Sequence, residues 1–100
     1  MNNEYKRILD IAEKYSIDSS DLLIAQNCYQ VFDFDYSDDQ FEKLCKKAST
    51  VYYGCSKDVG VSVYCVARAI DEFICDDEKS IEDVLLIDSE EIHYRALDFC

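Results

Sequence analysis

Apolar side chains recur every three or four residues through most of the chain, and this spacing restricts the fold more than any other feature. Its clearest example is the series Phe41, Leu44, Cys45, Ala48, Val51 and Tyr52. These six side chains lie on one side of a helix with 3.6 residues per turn. Ser37 and Gln40 precede them with the spacing of a capping box, and Gly54 is positioned to end the helix in a left-handed conformation.

The same period predicts further helices over about residues 3–16, from about 21 to 32, 61–75, 81–87 and from 88 to the last turn of the chain. No segment repeats, and no linker divides the chain. We therefore predict an all-α fold, a single-domain bundle of five to six helices over residues 1–100. The alternative is an α+β fold with a short hairpin or edge strand around 31–36 and 59–65, because apolar residues alternate there with the period of a strand.

The charge of the chain is strongly negative and unevenly distributed. Its 22 acidic and 10 basic side chains give a net charge of −12, and residues 71–100 alone carry 11 acidic and 2 basic side chains. DNA, RNA and anionic membranes are bound mainly through Lys and Arg, so we expect no direct contact with nucleic acid or membrane. The expected partner has a basic surface.

Six cysteines are spread along the chain. They are Cys28, Cys45, Cys55, Cys65, Cys75 and Cys100. An even number in a short chain suits a secreted disulfide framework, but residues 1–7 do not have the pattern of a signal peptide, and Cys45, Cys65 and Cys75 lie within predicted helices. Their separations of ten residues or more do not match the close ligand pairs of zinc sites. We therefore expect reduced thiols in a cytoplasmic protein without metal or cofactor, and a zinc- or redox-responsive protein is an alternative.

Signatures of catalysis are missing from the sequence. Two glycines cannot build a phosphate-binding loop. A calcium loop starting at Asp33 would place Asp38 where glycine is needed and Leu44 where a bidentate glutamate is needed. His93, the single histidine, is expected at the surface among acidic neighbours. The sequence predicts no enzyme and no catalytic residues.

The acidic side chains of the last third are the candidate partner-binding residues, together with one tyrosine that lies off the apolar side of its helix. They are Asp71, Glu72, Asp76, Asp77, Glu78, Glu82, Asp83 and Tyr64. Carboxylates three or four residues apart on a helix stand about 5–6 Å apart and can present a dense array of negative charge. A surface that only maintains solubility is the simpler interpretation of the same residues.

The segments Phe41-Glu-Lys-Leu-Cys45 and Val63-Tyr-Cys-Val-Ala-Arg-Ala-Ile70 resemble small phage proteins. With its small size, acidic face and many tyrosines, the chain resembles phage-encoded inhibitors of bacterial defence systems, above all anti-CRISPR proteins. The resemblance rests on size, composition and helical pattern, and it carries over no functional residue. It implies an inhibitor in the host bacterial cytoplasm that mimics nucleic acid and blocks the basic channel of a nucleic-acid-binding protein such as a CRISPR effector nuclease.

A second hypothesis assigns the chain to a different class. Tyr53 and Tyr64, with Val59 and Val61, would form a helix-to-helix interface of a small scaffold or self-assembling module, including a homodimer. Binding through such a surface would depend little on salt. The two hypotheses therefore differ in a property that can be measured.

Overall fold

The computed structural model describes residues 19–32 and 36–100, and within these ranges the chain forms five α-helices and no strand. The helices are α1 (Ser19–Phe32), α2 (Asp38–Val51), α3 (Val63–Cys75), α4 (Ile81–Leu85) and α5 (Ser89–Ala96). The predicted all-α class is confirmed. The predicted helix over 3–16 and the acidic residues Asp33 and Asp35 lie outside the described residues.

Three of the helices begin with a serine cap. Ser37 Oγ accepts a hydrogen bond from the Gln40 amide at 3.2 Å, and Gln40 Oε1 accepts one from the Ser37 amide at 3.0 Å, which confirms the predicted capping box. Ser62 and Ser80 cap α3 and α4, their Oγ atoms accepting from the Cys65 and Asp83 amides. Each cap accepts a hydrogen bond from a backbone amide that has no partner within the helix, and this bond stabilises the helix by about 1 kcal/mol.

The prediction that Gly54 ends the helix capped by Ser37 is wrong. After Val51 the chain continues as a π-helical turn over Tyr52–Ser56 and a 3-10 turn over Lys57–Val59. It is Gly60, with φ of 78°, that adopts the left-handed conformation, and its amide donates to the Lys57 carbonyl at 3.2 Å. A side chain at this position would be strained, so glycine suits the reversal of the chain that precedes α3.

The strand alternative around residues 59–65 is also overturned. Val61 and Val63 are buried while Ser62 between them is exposed, which reproduces the alternation seen in the sequence. The cause is a helix start: Ser62 faces solvent because it is the N-cap, and α3 begins at Val63 rather than at residue 61. At the other segment, Val31 and Phe32 belong to the end of α1, and residues 33–35 lie outside the described part of the chain.

Helix α3 forms the centre of the core and packs against the other four described helices. Its buried residues are Val63, Cys65, Val66, Ala67, Ala69, Ile70 and Phe73. Phe32 of α1 and Phe41 of α2 are also buried, and Tyr29 meets the Phe41 ring edge-on at 6.1 Å between centroids. This packing holds both ends of α3 in place, the first turn with Tyr64 and the last two turns with Asp71 and Glu72. None of the described helices has the length and apolarity needed to cross a lipid bilayer.

Candidate functional site

The acidic segment, defined here as residues 76–83, runs from the end of α3 into the first turn of α4. All five acidic residues of the segment are exposed, and four of these make no ion pair with any residue that the structure describes. They are Asp76, Glu78, Glu82 and Asp83. Lys79 is the one basic residue of the segment. The segment therefore presents uncompensated negative charge to solvent.

The backbone holds this segment in one conformation through hydrogen bonds at both ends. Asp76 and Asp77 amides donate to the Glu72 carbonyl at 2.8 and 3.2 Å. Glu78 then adopts a left-handed conformation with φ of 56°, and the Lys79 amide turns back to the Phe73 carbonyl at 3.1 Å. Ser80 Oγ accepts from the Asp83 amide at 3.1 Å, which starts α4. The acids thus stand on an ordered turn rather than on an extended linker.

Arg95 separates the predicted acids into two groups. Its Nη1 donates to Glu72 Oε1 at 2.7 Å and its Nη2 donates to Asp77 Oδ2 at 3.1 Å. The guanidinium also stacks on the Phe73 ring at 4.1 Å from the centroid. The hydrogen bond to Asp77 raises the pKa of Arg95 above its ordinary value, and the hydrogen bond to Glu72 adds to this increase. Partial burial acts in the opposite direction. Glu72 and Asp77 therefore both make ion pairs with Arg95 within the protein.

Arg95 was not among the residues predicted from the sequence. It is one of only two basic residues in the last third of the chain, and Glu91 stands four residues before it on α5. Residues at this spacing share a helix face, so an isolated cation among acids was the available signal. Its two partners lie 23 and 18 residues away in the sequence, and no local pattern identifies them.

The remaining two predicted residues do not join the acidic segment. Asp71 is half-buried on α3 and accepts a weak hydrogen bond from the Cys75 thiol, with Sγ and Oδ1 3.6 Å apart. Tyr64 is exposed, but it lies in the first turn of α3, twelve residues before Asp76. At 1.5 Å per residue this places the two residues roughly 18 Å apart along the helix axis.

A tyrosine that the sequence analysis did not select lies on the exposed face of α5. Tyr94 is 66% exposed, with Glu90 and Glu91 one turn before it and Leu97 and Asp98 one turn after it. An aromatic ring surrounded by carboxylates suits contact with a basic surface, because the ring contributes apolar area and the acids contribute charge.

Fewer residues of the predicted self-assembly surface are exposed than the sequence suggested. Val61 is only 5% exposed, so the expectation that it is available to a partner is wrong. Its side chain fills the core beside the start of α3. Val59 and Tyr53 are exposed, and the Tyr53 ring contacts Tyr52 at 5.2 Å and the Lys57 ammonium at 5.3 Å.

His93 is half-buried rather than a surface histidine. Its Nδ1 lies 2.7 Å from Ser56 Oγ, and Ser56 is fully buried in the π-helical turn. A nucleophilic serine must be reached by its substrate, so this pair does not form a hydrolytic site. The hydrogen bond instead connects α5 to the turn that follows α2.

Lys47 helps to place α4 and the acidic segment. Its Nζ donates to the Ile87 carbonyl at 2.6 Å, just after α4 ends. Around it, an open groove of about 390 Å³ is lined by Lys43, Lys46, Lys47, Thr50 and Leu85. The groove is therefore lined by basic side chains of α2, whereas the acidic segment before and within α4 carries negative charge.

No group of three or more His, Cys, Asp or Glu side chains is close enough to hold a metal ion among the residues that the structure describes. No protein-family model, curated protein or solved structure matches the chain.

Proposed function

We propose that the protein is a stoichiometric inhibitor that binds a basic nucleic-acid-binding protein through its acidic segment. The observation that carries the proposal is the set of exposed, unpaired carboxylates held on the ordered turn between α3 and α4. The resemblance to phage-encoded inhibitors suggests an RNA-guided nuclease as the partner, with the acidic segment occupying the channel that holds nucleic acid.

Electrostatics favours such a partner. Carboxylates that make no internal ion pair are available to Lys and Arg of another protein, and charge-assisted hydrogen bonds to Arg are often bidentate. A net charge of −12 also attracts a basic surface from a distance and increases the rate of encounter. Asp76, Glu78, Glu82 and Asp83 supply the contacts, while Glu72 and Asp77 keep the turn in place through Arg95.

The test compares two variants of equal net charge. The acidic-segment variant carries Asp76→Lys and Glu82→Lys, and the control variant carries Asp39→Lys and Asp58→Lys, which are exposed acids elsewhere on the surface. Each protein is immobilised and used to capture proteins from a bacterial lysate in low salt. The captured protein is then purified and tested for nucleic-acid binding by gel mobility shift.

The proposal predicts that the wild type and the control variant capture the same nucleic-acid-binding protein and release it from its nucleic acid. The acidic-segment variant is expected to do neither, because two attractive contacts become repulsive. Equal capture by all three proteins, or a captured protein that keeps its nucleic acid, would contradict the proposal.

A scaffold that assembles through tyrosine-bearing helix faces is the second candidate. It is favoured by the exposure of Tyr64, Tyr94 and Leu97. Tyr94 and Leu97 are three residues apart and therefore lie on the same face of the last helical turns. This candidate predicts a dimer at micromolar concentration that persists in high salt and dissociates in the Tyr94→Ala variant, as measured by analytical ultracentrifugation.

A further inference from the structure

Two cysteines from distant parts of the sequence meet at the start of α3. Cys65 lies in the first turn of α3 and Cys100 follows the 3-10 turn over Leu97–Phe99, yet their Sγ atoms are 2.9 Å apart. A disulfide bond is about 2.05 Å long, so the two sulfurs need to approach by only roughly 0.9 Å to bond. The residues are 35 apart in the sequence.

The Cys65 thiol and the last turn of the chain are held in place by neighbouring groups. Cys65 Sγ lies 3.2 Å from Ser62 Oγ and 3.5 Å from the Phe99 carbonyl oxygen. The Arg68 guanidinium, one turn further along α3, lies 5.2 Å from the centre of the Phe99 ring. These contacts keep the last turn of the chain against α3, so the approach of the two sulfurs does not depend on a large rearrangement.

The other thiols lack this combination of proximity and access. Cys28 and Cys45 are neighbours, but both are buried in the core, and Cys55 is half-buried. Cys75 is exposed and hydrogen-bonds to Asp71. Only in the Cys65 and Cys100 pair, among the described contacts, does an exposed thiol lie beside a second thiol that can displace a leaving group from it.

The geometry points to a reversible disulfide between Cys65 and Cys100, formed by exchange with a low-molecular-weight disulfide such as oxidised glutathione. The Cys100 thiolate attacks one sulfur of oxidised glutathione, which forms a mixed disulfide and releases one glutathione thiolate. The Cys65 thiolate then attacks the Cys100 sulfur and releases the second glutathione thiolate. Two protein thiols lose two electrons and two protons, and one glutathione disulfide gains them to become two glutathione molecules.

The environment of Cys100 influences the rate of this exchange. A hydrogen bond with Cys65 and, to a smaller extent, burial raise the pKa of Cys100. Because the thiolate is the reacting form, we expect slow exchange at neutral pH and an incubation of hours.

The disulfide would close a loop that contains the whole acidic segment, α4 and α5. Such a link removes conformational freedom from the unfolded chain and opposes separation of the last turn from α3. We expect oxidation to raise the melting temperature by roughly 10 °C. This inference does not depend on the proposed inhibitor function.

The test uses the full chain with oxidised glutathione, followed by tryptic digestion without reductant and mass spectrometry. Trypsin releases Cys65 in the peptide of residues 58–68 and Cys100 in the peptide of residues 96–100, each with one cysteine. The proposal predicts a covalent link between these two peptides, removed by dithiothreitol. The Cys75→Ser variant serves as the matched control and is expected to form the same link.

Two further variants distinguish the steps. In Cys65→Ser, the second displacement is blocked, so Cys100 is expected to retain one glutathione; in Cys100→Ser, the link is absent and the melting temperature no longer rises on oxidation. A wild-type chain that keeps glutathione on Cys100, links another pair of cysteines or does not react within a day would overturn the proposal.

Discussion

Arg95 Nη1 lies 2.7 Å from Glu72 Oε1, so one of the carboxylates predicted to bind a partner makes an ion pair within the protein. The same guanidinium reaches Asp77 at 3.1 Å and stacks on the Phe73 ring. This arrangement fastens α5 to the end of α3 and holds the start of the acidic segment. It also restricts the proposed partner-binding residues to the acids that Arg95 does not reach.

Replacing Arg95 by alanine is expected to lower the free energy of unfolding by about 1–2 kcal/mol. The change removes two ion pairs and a cation–π contact that are only partly exposed, and it leaves Glu72 and Asp77 without their common partner. Urea denaturation followed by circular dichroism measures the effect. Arg95→Lys keeps the charge but not the planar group, so it should restore less than the full stability. An Arg95→Ala variant as stable as the wild type would show that the ion pairs of Arg95 do not stabilise the fold.

Glu78→Gly is expected to stabilise the protein by roughly 0.5–1 kcal/mol. Glu78 is the one non-glycine residue with positive φ in the described part of the chain, and glycine adopts this conformation without contact between Cβ and the backbone. Thermal denaturation compares this variant with Glu78→Ala, which loses the same charge but keeps Cβ. If both variants melt at the same temperature, Glu78 is not strained.

The fold class could be predicted from the sequence because its determinants are local. The serine caps at Ser37 and Ser80 and the period of apolar residues in α2 and α3 involve residues within one or two turns of each other. Gly54 was assigned the wrong role because the position at which a chain turns depends on later contacts. Here the π-helical turn carries the chain past Gly54, and the burial of Val61 follows the reversal at Gly60.

Ser56→Ala is expected to lower the free energy of unfolding by about 1–2 kcal/mol, because it leaves the His93 ring without its hydrogen-bond partner beside a buried turn. A double-mutant cycle with His93→Ala isolates the interaction. The cycle should give a coupling energy of about 1 kcal/mol between the two residues. Additive effects would mean that each residue acts through packing alone.

Stability is expected to fall above pH 9 because of Cys28. The hydrogen bond with Cys45 and, to a smaller extent, burial and the charge of Cys45 raise the pKa of Cys28 well above its ordinary value of 9.0. The folded state therefore holds this proton more tightly than the unfolded state. The resulting stability is complete below the ordinary pKa and is lost as the pH rises through the raised one, with a slope of up to about 1.4 kcal/mol per pH unit.

Urea denaturation between pH 7 and 10.5, roughly spanning the ordinary thiol pKa, measures this loss. Cys28→Ala should show a shallower decline than the wild type. Val66→Ala, which removes buried volume but no proton, should be less stable at every pH and keep the wild-type slope. Equal slopes in all three proteins would exclude Cys28 as the source.

The candidate site could be predicted only in part. The high density of acidic residues in the last third is visible in the sequence. It is the reason that the prediction included Asp76, Glu78, Glu82 and Asp83. Which carboxylates are paired depends on how α5 packs against α3, and this contact joins residues about twenty positions apart. The distance of Tyr64 from the acids follows in the same way from the length of α3 once its ends are known.

The most direct test of the central claim is the affinity for the captured nucleic-acid-binding protein, measured by isothermal titration at about 50 and about 500 mM salt. We expect the wild type and the Asp39→Lys, Asp58→Lys control to bind alike in low salt and to lose most of their affinity in high salt. The Asp76→Lys, Glu82→Lys variant should bind at least about tenfold more weakly in low salt. Equal affinities for all three proteins, or an affinity for the wild type that salt does not change, would contradict the account.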